Sequence, residues 1–253
     1  KKENPEVVIN AAAKVGGIWA NNEFPYEFLM ENMLIQNNLI KASFDNDVDK
    51  FIFLGSSCIY PKMANQPITE NSLLTGELEE TNQWYAIAKI SGVKLIEALR
   101  NEYGKDYIAL MPTNLYGPGD NYDLNTSHVL PAMIRKFHEA KQNNTDVTIW
   151  GTGTPLREFL HVDDLANAVL FCLENEMEDH LYNIGSGEEL TILELANLVS
   201  KIVGFNGDLL WDKTKPDGTP RKLLNSNKIK EKGFKSNISL EEGIKSTYLN
   251  YIS

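Results

Sequence analysis

A short apolar run ending in glycine and hydroxyl residues, Lys50-Phe51-Ile52-Phe53-Leu54-Gly55-Ser56-Ser57-Cys58, limits the folds open to this chain more than any other feature. A run that stops at Gly-Ser reads as a buried strand whose carboxyl end opens into a crevice. Hydroxyls at such an end face ligand. Downstream, Gln83–Tyr103 carries Ile87, Ile90, Val93, Leu95, Ile96 and Leu99 at roughly helical spacing, which puts Tyr85 and Lys89, four apart, on one helix face. An ammonium beside a phenol favours the phenolate. The pair is therefore expected to lower the Tyr85 pKa and let it exchange a proton with a substrate carbonyl oxygen that Ser56 also holds. Tyr-x-x-x-Lys alone is a weak pattern, in most proteins a surface tyrosine and a solvated lysine. The upstream Gly-Ser-Ser is what turns the reading toward chemistry.

The flanking segments extend the same alternation. Glu6–Ala13 reads as a buried strand running into small residues, with Gly16-Gly17 next; these either let a ligand approach the backbone or serve tight strand-to-helix packing. Pro25–Phe44 is expected to be an amphipathic helix buried through Phe28, Leu29, Met33, Leu34, Leu39 and Ile40. Strand, helix, strand implies a right-handed parallel crossover. Asp106–Met111 is a further strand, and its end breaks into Pro112-Thr113-Asn114-Leu115 and then Gly-Pro-Gly on the same carboxyl edge as Ser56. Val147–Trp150 and Leu181–Ile184 read as strands, Leu165–Leu173 as an apolar helix with Asp163 as its N-cap and Cys172 in the core, and Thr191–Val203 as a helix opened by a capping box. Ser239-x-x-Glu242 caps the last helix. Gly151-Thr-Gly153 and Gly185-Ser-Gly187 read as turns. His128 is either structural or catalytic. Lys136, Arg157 and Lys222 are by default solvated, but gathered in one cleft they would clamp a diphosphate.

Charge narrows the partners. With 24 basic against 35 acidic residues, net −11, binding to nucleic acid or an anionic membrane is disfavoured, and an anionic ligand needs locally placed cations. Two cysteines, Cys58 and Cys172, are too few for a disulfide framework and lack metal-ligand spacing, so a reducing cytoplasm is expected and no metal. Length is enough for one large domain or two smaller ones. A dinucleotide fold should open with a strand, a Gly-rich turn and a helix that receives the pyrophosphate. No such turn occurs in these residues, so the chain is expected to start inside the first domain, at about its fourth strand, and to hold the cofactor's pyrophosphate weakly.

Ser-(gap)-Tyr85-Ala-Ile-Ala-Lys89 resembles the catalytic set of the extended short-chain dehydrogenase/reductases. Five further stretches narrow the likeness: Gly55-Ser-Ser-Cys-Ile-Tyr-Pro61, Met111-Pro-Thr-Asn-Leu-Tyr-Gly-Pro118, Ser127-His-Val-Leu-Pro131, Trp150–Asp164 and Lys215–Lys222. In these, and in Ala11–Ile18, the chain is similar to the GDP-L-fucose synthase family. The resemblance implies an α/β fold with a doubly wound parallel sheet and a smaller carboxyl-terminal domain. Residues 1–115 and 152–186 would form the NADP-binding part, and 116–151 and 187–253 the GDP-sugar part. It further implies a homodimer that uses NADPH to convert GDP-4-keto-6-deoxy-D-mannose to GDP-L-fucose. In that likeness Cys58 is the epimerising base and His128 the acid, Ser56 and Tyr85 bind the C4 oxygen, and Lys89 serves both ribose and phenol. Leu54, Gly55, Ser56, Ser57, Lys89, Pro112, Thr113, Asn114, Leu115 and His128 match cofactor positions. Lys136, Trp150, Arg157, Asp217 and Lys222 match GDP-sugar positions, Lys136 standing where the family often has arginine, which keeps the charge but not the bidentate grip.

The residue chemistry agrees with this carry-over. Epimerisation beside a ketone needs a base, donors for the enolate oxygen and an acid on the opposite face. A free thiol has a pKa of about 8.5, so Cys58 needs nearby positive charge. Two other readings stay open: a 4-epimerase or 4,6-dehydratase of the same fold, for which Cys58 and His128 would be superfluous, and a shortened chain that binds GDP-sugar without catalysis.

Overall fold

The computed structural model describes residues 3–215 and 217–253. The first half alternates strand and helix: β1 (Val7–Asn10), α1 (Ile18–Glu23), α2 (Pro25–Asp45), β2 (Lys50–Leu54), α3 (Gln83–Tyr103) and β3 (Asp106–Pro112). The second half continues with β4 (Asn114–Tyr116), α4 (Val129–Asn143), β5 (Val147–Trp150), β6 (Leu156–His161), α5 (Val162–Glu174), β7 (Leu181–Ile184), β8 (Glu189–Thr191), α6 (Ile192–Val203), β9 (Leu209–Asp212), β10 (Arg221–Lys222), α7 (Asn227–Glu231) and α8 (Leu240–Tyr251). β1, β2, β3 and β7 lie side by side in that order, all parallel. Register runs Asn10 to Phe53 and Leu54 to Leu110, so the carboxyl ends of three strands share one edge.

Continuous apolar runs make these central strands because both sheet faces are covered. Phe51, Ile52 and Phe53 are fully buried, each worth about 1.5–3 kcal/mol of transfer free energy. Phe51 and Phe53 pack with Val93 and Ile96 of α3, whereas Ile52 faces Leu165, Val169 and Cys172 of α5. A separate core joins α4, α6 and α8 around Phe137, Leu195 and Ile244. This is the α/β architecture with parallel sheets that the sequence pattern implies. Between the two regions β6 is flanked by β4 and β10, both parallel to it, with Lys222 beside Arg157.

Three local expectations need correction. The buried stripe of α2 is Phe28, Asn32, Gln36, Ile40 and Ser43, while Leu34 and Leu39 are exposed. Two amides displace the expected leucines because they have backbone to satisfy: Asn32 pairs with both main-chain groups of Lys14, and Gln36 donates to Ala88 O and Ser91 Oγ of α3. Second, the first strand ends at Asn10 rather than Ala13, and Val7 and Ile9 are exposed. Third, the N-cap of α5 is His161, whose Nδ1 accepts from Asp163 N at 3.2 Å. Asp163 itself lies in the first turn, where its charge suits the helix dipole. The capping box of α6 forms as expected between Thr191 and Glu194. Gly151 and Gly153 take φ of 83° and 79° in a turn that leads from β5 into β6 and not into a helix.

Candidate active site

The end of β2 turns sharply because Ser56, extended, caps a single 3-10 turn at Ser57–Ile59; its Oγ accepts from Cys58 N at 3.2 Å. Tyr60 pins the turn from below, donating to Asn183 Oδ1 on β7 at 2.6 Å. Cys58 Sγ thereby points into a cleft lined also by Asn82, Thr219 and Lys222. Lys222 Nζ and Asn82 Nδ2 each lie 3.4 Å from the sulfur. Burial pushes the thiol up, but the Lys222 ammonium, the Ser56 hydroxyl and the Arg157 guanidinium together outweigh it and hold Cys58 below its ordinary pKa. Positive charge near the thiol was the condition that a cysteine base required.

Tyr85 and Lys89 do share a face of α3, with Lys89 Nζ 5.7 Å from the Tyr85 ring centroid. The ammonium does not, however, activate the phenol. Lys89 is buried, lies 4.6 Å from the Phe53 ring centroid and donates to Leu54 O at 2.9 Å. Burial, with a contribution from Cys58, raises Tyr85 well above its ordinary value, although the Ser56 hydroxyl pulls the other way. Burial likewise drops Lys89 to about 8. The expected lowering of the phenol is thus reversed, because low polarity around the pair penalises both charged forms more than they favour each other.

His128 occupies the N-cap position of α4 without making a cap hydrogen bond, which leaves its ring available. The surrounding protein disfavours the imidazolium and pulls the pKa below its ordinary value; Asp120 opposes this and Lys222 adds to it. Lys222 therefore acts on both Cys58 and His128. The His128 loop is seated against Gly17, whose N–H donates to Thr126 O at 3.0 Å. A side chain there would come within 2.9 Å of Ser127 O, so at Gly17 it is the loop before His128 that packs close to the backbone.

The other candidate positions fall into two groups. Leu54, Gly55 and Ser57 belong to the β2 end, and Pro112, Thr113, Asn114 and Leu115 to the neighbouring end of β3 and the start of β4. Thr113 and Asn114 both donate to Glu158 O, at 3.2 and 2.8 Å, tying that edge to β6. Among the GDP-sugar candidates, Trp150 is half exposed, and Lys136 and Lys215 approach its ring to 5.9 and 5.3 Å. Arg157 Nη2 donates to Asp217 O at 3.2 Å, while the Asp217 carboxylate accepts from Thr152 N and Oγ1. Arg157 and Lys222 are brought to one cleft with Cys58; Lys136 stands with Trp150, donating to Thr148 O. Asn82, Asp120 and Lys215 were not foreseen. Lys215 opens the Lys215–Lys222 stretch that carries the family likeness, whereas nothing local in the sequence marks Asn82 or Asp120.

The residues present fit the nicotinamide end of a dinucleotide. Among the described residues the buried donor Asn10 Nδ2, at the carboxyl end of β1, has no partner; it lies beside the edge where Lys89 holds the Leu54 carbonyl. Donors left unsatisfied at that edge suit a polar ligand.

The comparisons agree with this geometry. Residues 1–185 match the NAD dependent epimerase/dehydratase family. A probable GDP-L-fucose synthase 1 of Oryza sativa is 57% identical over 252 residues, 99% of this chain and 77% of that protein. The GDP-L-fucose synthase of Escherichia coli is 52% identical over 257 residues, 97% of this chain and 80% of that one. Among solved structures, a GDP-L-fucose synthetase from Naegleria fowleri bound to NADP superposes with a TM-score of 0.89 at 31% identity, covering 99% of this chain and 78% of that one. Fold, cleft and likeness converge, and the chain belongs to the NAD dependent epimerase/dehydratase family, within its GDP-L-fucose synthase branch.

Proposed function

We propose that this chain converts GDP-4-keto-6-deoxy-D-mannose to GDP-L-fucose by epimerisation at C3 and C5 followed by reduction of the C4 ketone. The observation that carries it is the Cys58 sulfur, two residues beyond Ser56 and held by Lys222, because a 4-epimerase or 4,6-dehydratase would have no use for a stabilised thiolate there. The Cys58 thiolate removes a proton from the carbon beside the ketone, and Ser56 and Tyr85 hold the enolate oxygen. His128 returns a proton on the opposite face. NADPH, when bound, supplies the hydride for C4. Tyr85, kept neutral by burial, then gives its proton to the C4 oxygen.

Lys89, Asn10, the β2 end at Leu54, Gly55, Ser56 and Ser57, and the Pro112–Leu115 edge are the residues that would hold the nicotinamide and its ribose. The reading takes 1–115 and 152–186 as the cofactor part and 116–151 and 187–253 as the sugar part, which the separate core around α4, α6 and α8 supports. Lys136, Trp150, Arg157, Asp217 and Lys222 take the GDP-sugar. The setting taken is the cytoplasm, supported by two free cysteines; among the described residues no helix is long and apolar enough to cross a membrane.

Incubation with GDP-4-keto-6-deoxy-D-mannose and NADPH in D2O tests the proposal. Deuterium should enter C3 and C5 of the GDP-L-fucose formed. Cys58→Ser should abolish that entry yet still reduce the ketone, giving an unepimerised GDP-6-deoxyhexose. His128→Gln should show a milder split, since water can return a proton. Normal deuterium entry with Cys58→Ser would mean that another base acts.

A further inference from the structure

The cleft assigns Lys222 more than a place on the sugar diphosphate. We propose that Lys222 and Asn82 are the positioning residues that keep Cys58 as a thiolate aimed at the sugar, Lys222 as counter-ion and Asn82 as the second hydrogen-bond donor. This deepens the reading of Cys58 as the base and rests on it. Two N–H donors converge on one sulfur, at 3.4 Å each, from elements far apart in the chain. A thiolate can accept from both, whereas a thiol must turn its own hydrogen away from each.

Their placement is built rather than incidental. Lys222 is fixed by pairing of β10 with β6, Lys222 beside Arg157, and by the neighbouring backbone: Ile68 N donates to Leu223 O and Asn225 N to Ile68 O, both at 2.8 Å. Leu223 N donates to Gln66 Oε1 and Leu224 N to the buried Glu158 carboxylate. Asn82 ends the 3-10 turn Glu80–Asn82 that leads directly into α3, so it is coupled to Tyr85 one helical turn on. The charged and titratable groups around the sulfur are Lys222 on β10, Arg157 on β6 and Tyr85 on α3. Lys62 and Glu79 across the cleft neutralise each other at 2.9 Å, and His128 feels Lys222. Lys222 therefore dominates, being both charged and in contact. An ammonium engaged by the thiolate is less available to the diphosphate, so Lys222 shares that anion with Arg157 and Lys136.

The test is the pH dependence of Cys58 alkylation by iodoacetamide in the purified chain, where Cys172, fully buried, stays silent. Lys222→Met should raise the alkylation midpoint by about one pH unit, cutting the rate at pH 7 about ten-fold. Lys222→Arg should restore most of it. Asn82→Ala should raise the midpoint by less, and it tests the proposal independently should Lys222→Met not fold. Deuterium entry at C3 and C5 should fall in step with the thiolate fraction. An unchanged midpoint in a folded Lys222→Met chain, or in Asn82→Ala where the lysine variant is unfolded, overturns the proposal. Alkylation does not require turnover, so a shifted midpoint in a protein that exchanges no deuterium would sustain this inference while sinking the proposed reaction.

Discussion

Lys89 Nζ donates to the Leu54 carbonyl at 2.9 Å, so the ammonium is anchored to the end of the strand and not to the Tyr85 phenol. The phenol is left neutral, raised by burial. For a residue that must give a proton to the C4 oxygen this is the useful form, and the neighbouring ammonium is then required only afterwards, when the phenolate appears. Tyr85→Phe should therefore abolish reduction of the 4-keto sugar, by at least the 10²- to 10⁴-fold typical of losing a general acid, with the fold preserved. Product formation at the unaltered rate would remove Tyr85 from the reaction.

Lys89 also makes a pH prediction. Its pKa in the folded chain is about 8 against an ordinary 10.5, so between those values the unfolded chain binds more protons than the folded one. Stability from this group accordingly rises with pH from about 8 toward 10.5, by on the order of a few kcal/mol over the whole window. Urea unfolding of the unaltered chain and of Lys89→Met, compared from pH 7.5 to 9.5, should show a rise that the variant lacks. Parallel curves for the two chains would show that Lys89 is not the buried ammonium described.

Much of this was legible in the sequence, and for a physical reason. β2, α3 and β3 are specified by local runs whose burial both faces of the sheet demand, and the shared face of Tyr85 and Lys89 follows from helix periodicity. What was not legible depends on contacts between distant segments. The buried amides of α2 exist to satisfy Lys14 and Ala88, Asn82 and Lys222 meet Cys58 across 24 and 164 positions, and the direction of the Tyr85 shift depends on how dry the cleft is. Periodicity carries no information about any of these.

Gly17 gives a test of how His128 is held. Its backbone conformation, φ −66°, suits any residue, so only space demands glycine. A methyl group would press on the Ser127 carbonyl, which cannot yield without moving the His128 loop. Gly17→Ala should slow deuterium entry at C3 and C5 several-fold while leaving the pH midpoint of Cys58 alkylation unchanged, because the two residues sit on separate elements. A midpoint that moved as well would indicate a general collapse of the cleft.

The outer faces of α2 and α3 carry the remaining prediction. Burying Asn32 on the Lys14 backbone and Gln36 on α3 leaves apolar residues facing outward: Met30, Leu34, Ile87 and Leu95 are all exposed, with Leu34 at 53%. Between the helices a groove is lined by Ile40, Phe44, Leu95 and Leu99, with Asn37 and Lys41 at its side. Exposed apolar side chains on neighbouring helices suit association, and two copies related by a two-fold axis would bury them as a four-helix bundle. The chain is expected to sediment as a homodimer at micromolar concentration, and Leu34→Glu combined with Leu95→Glu should give a folded monomer. Neither side chain reaches the Cys58 cleft, so alkylation of the monomer should keep its pH midpoint. Sedimentation of the unaltered chain as a monomer would show that both helices are satisfied by the sheet alone, and the exposed leucines would then need another explanation.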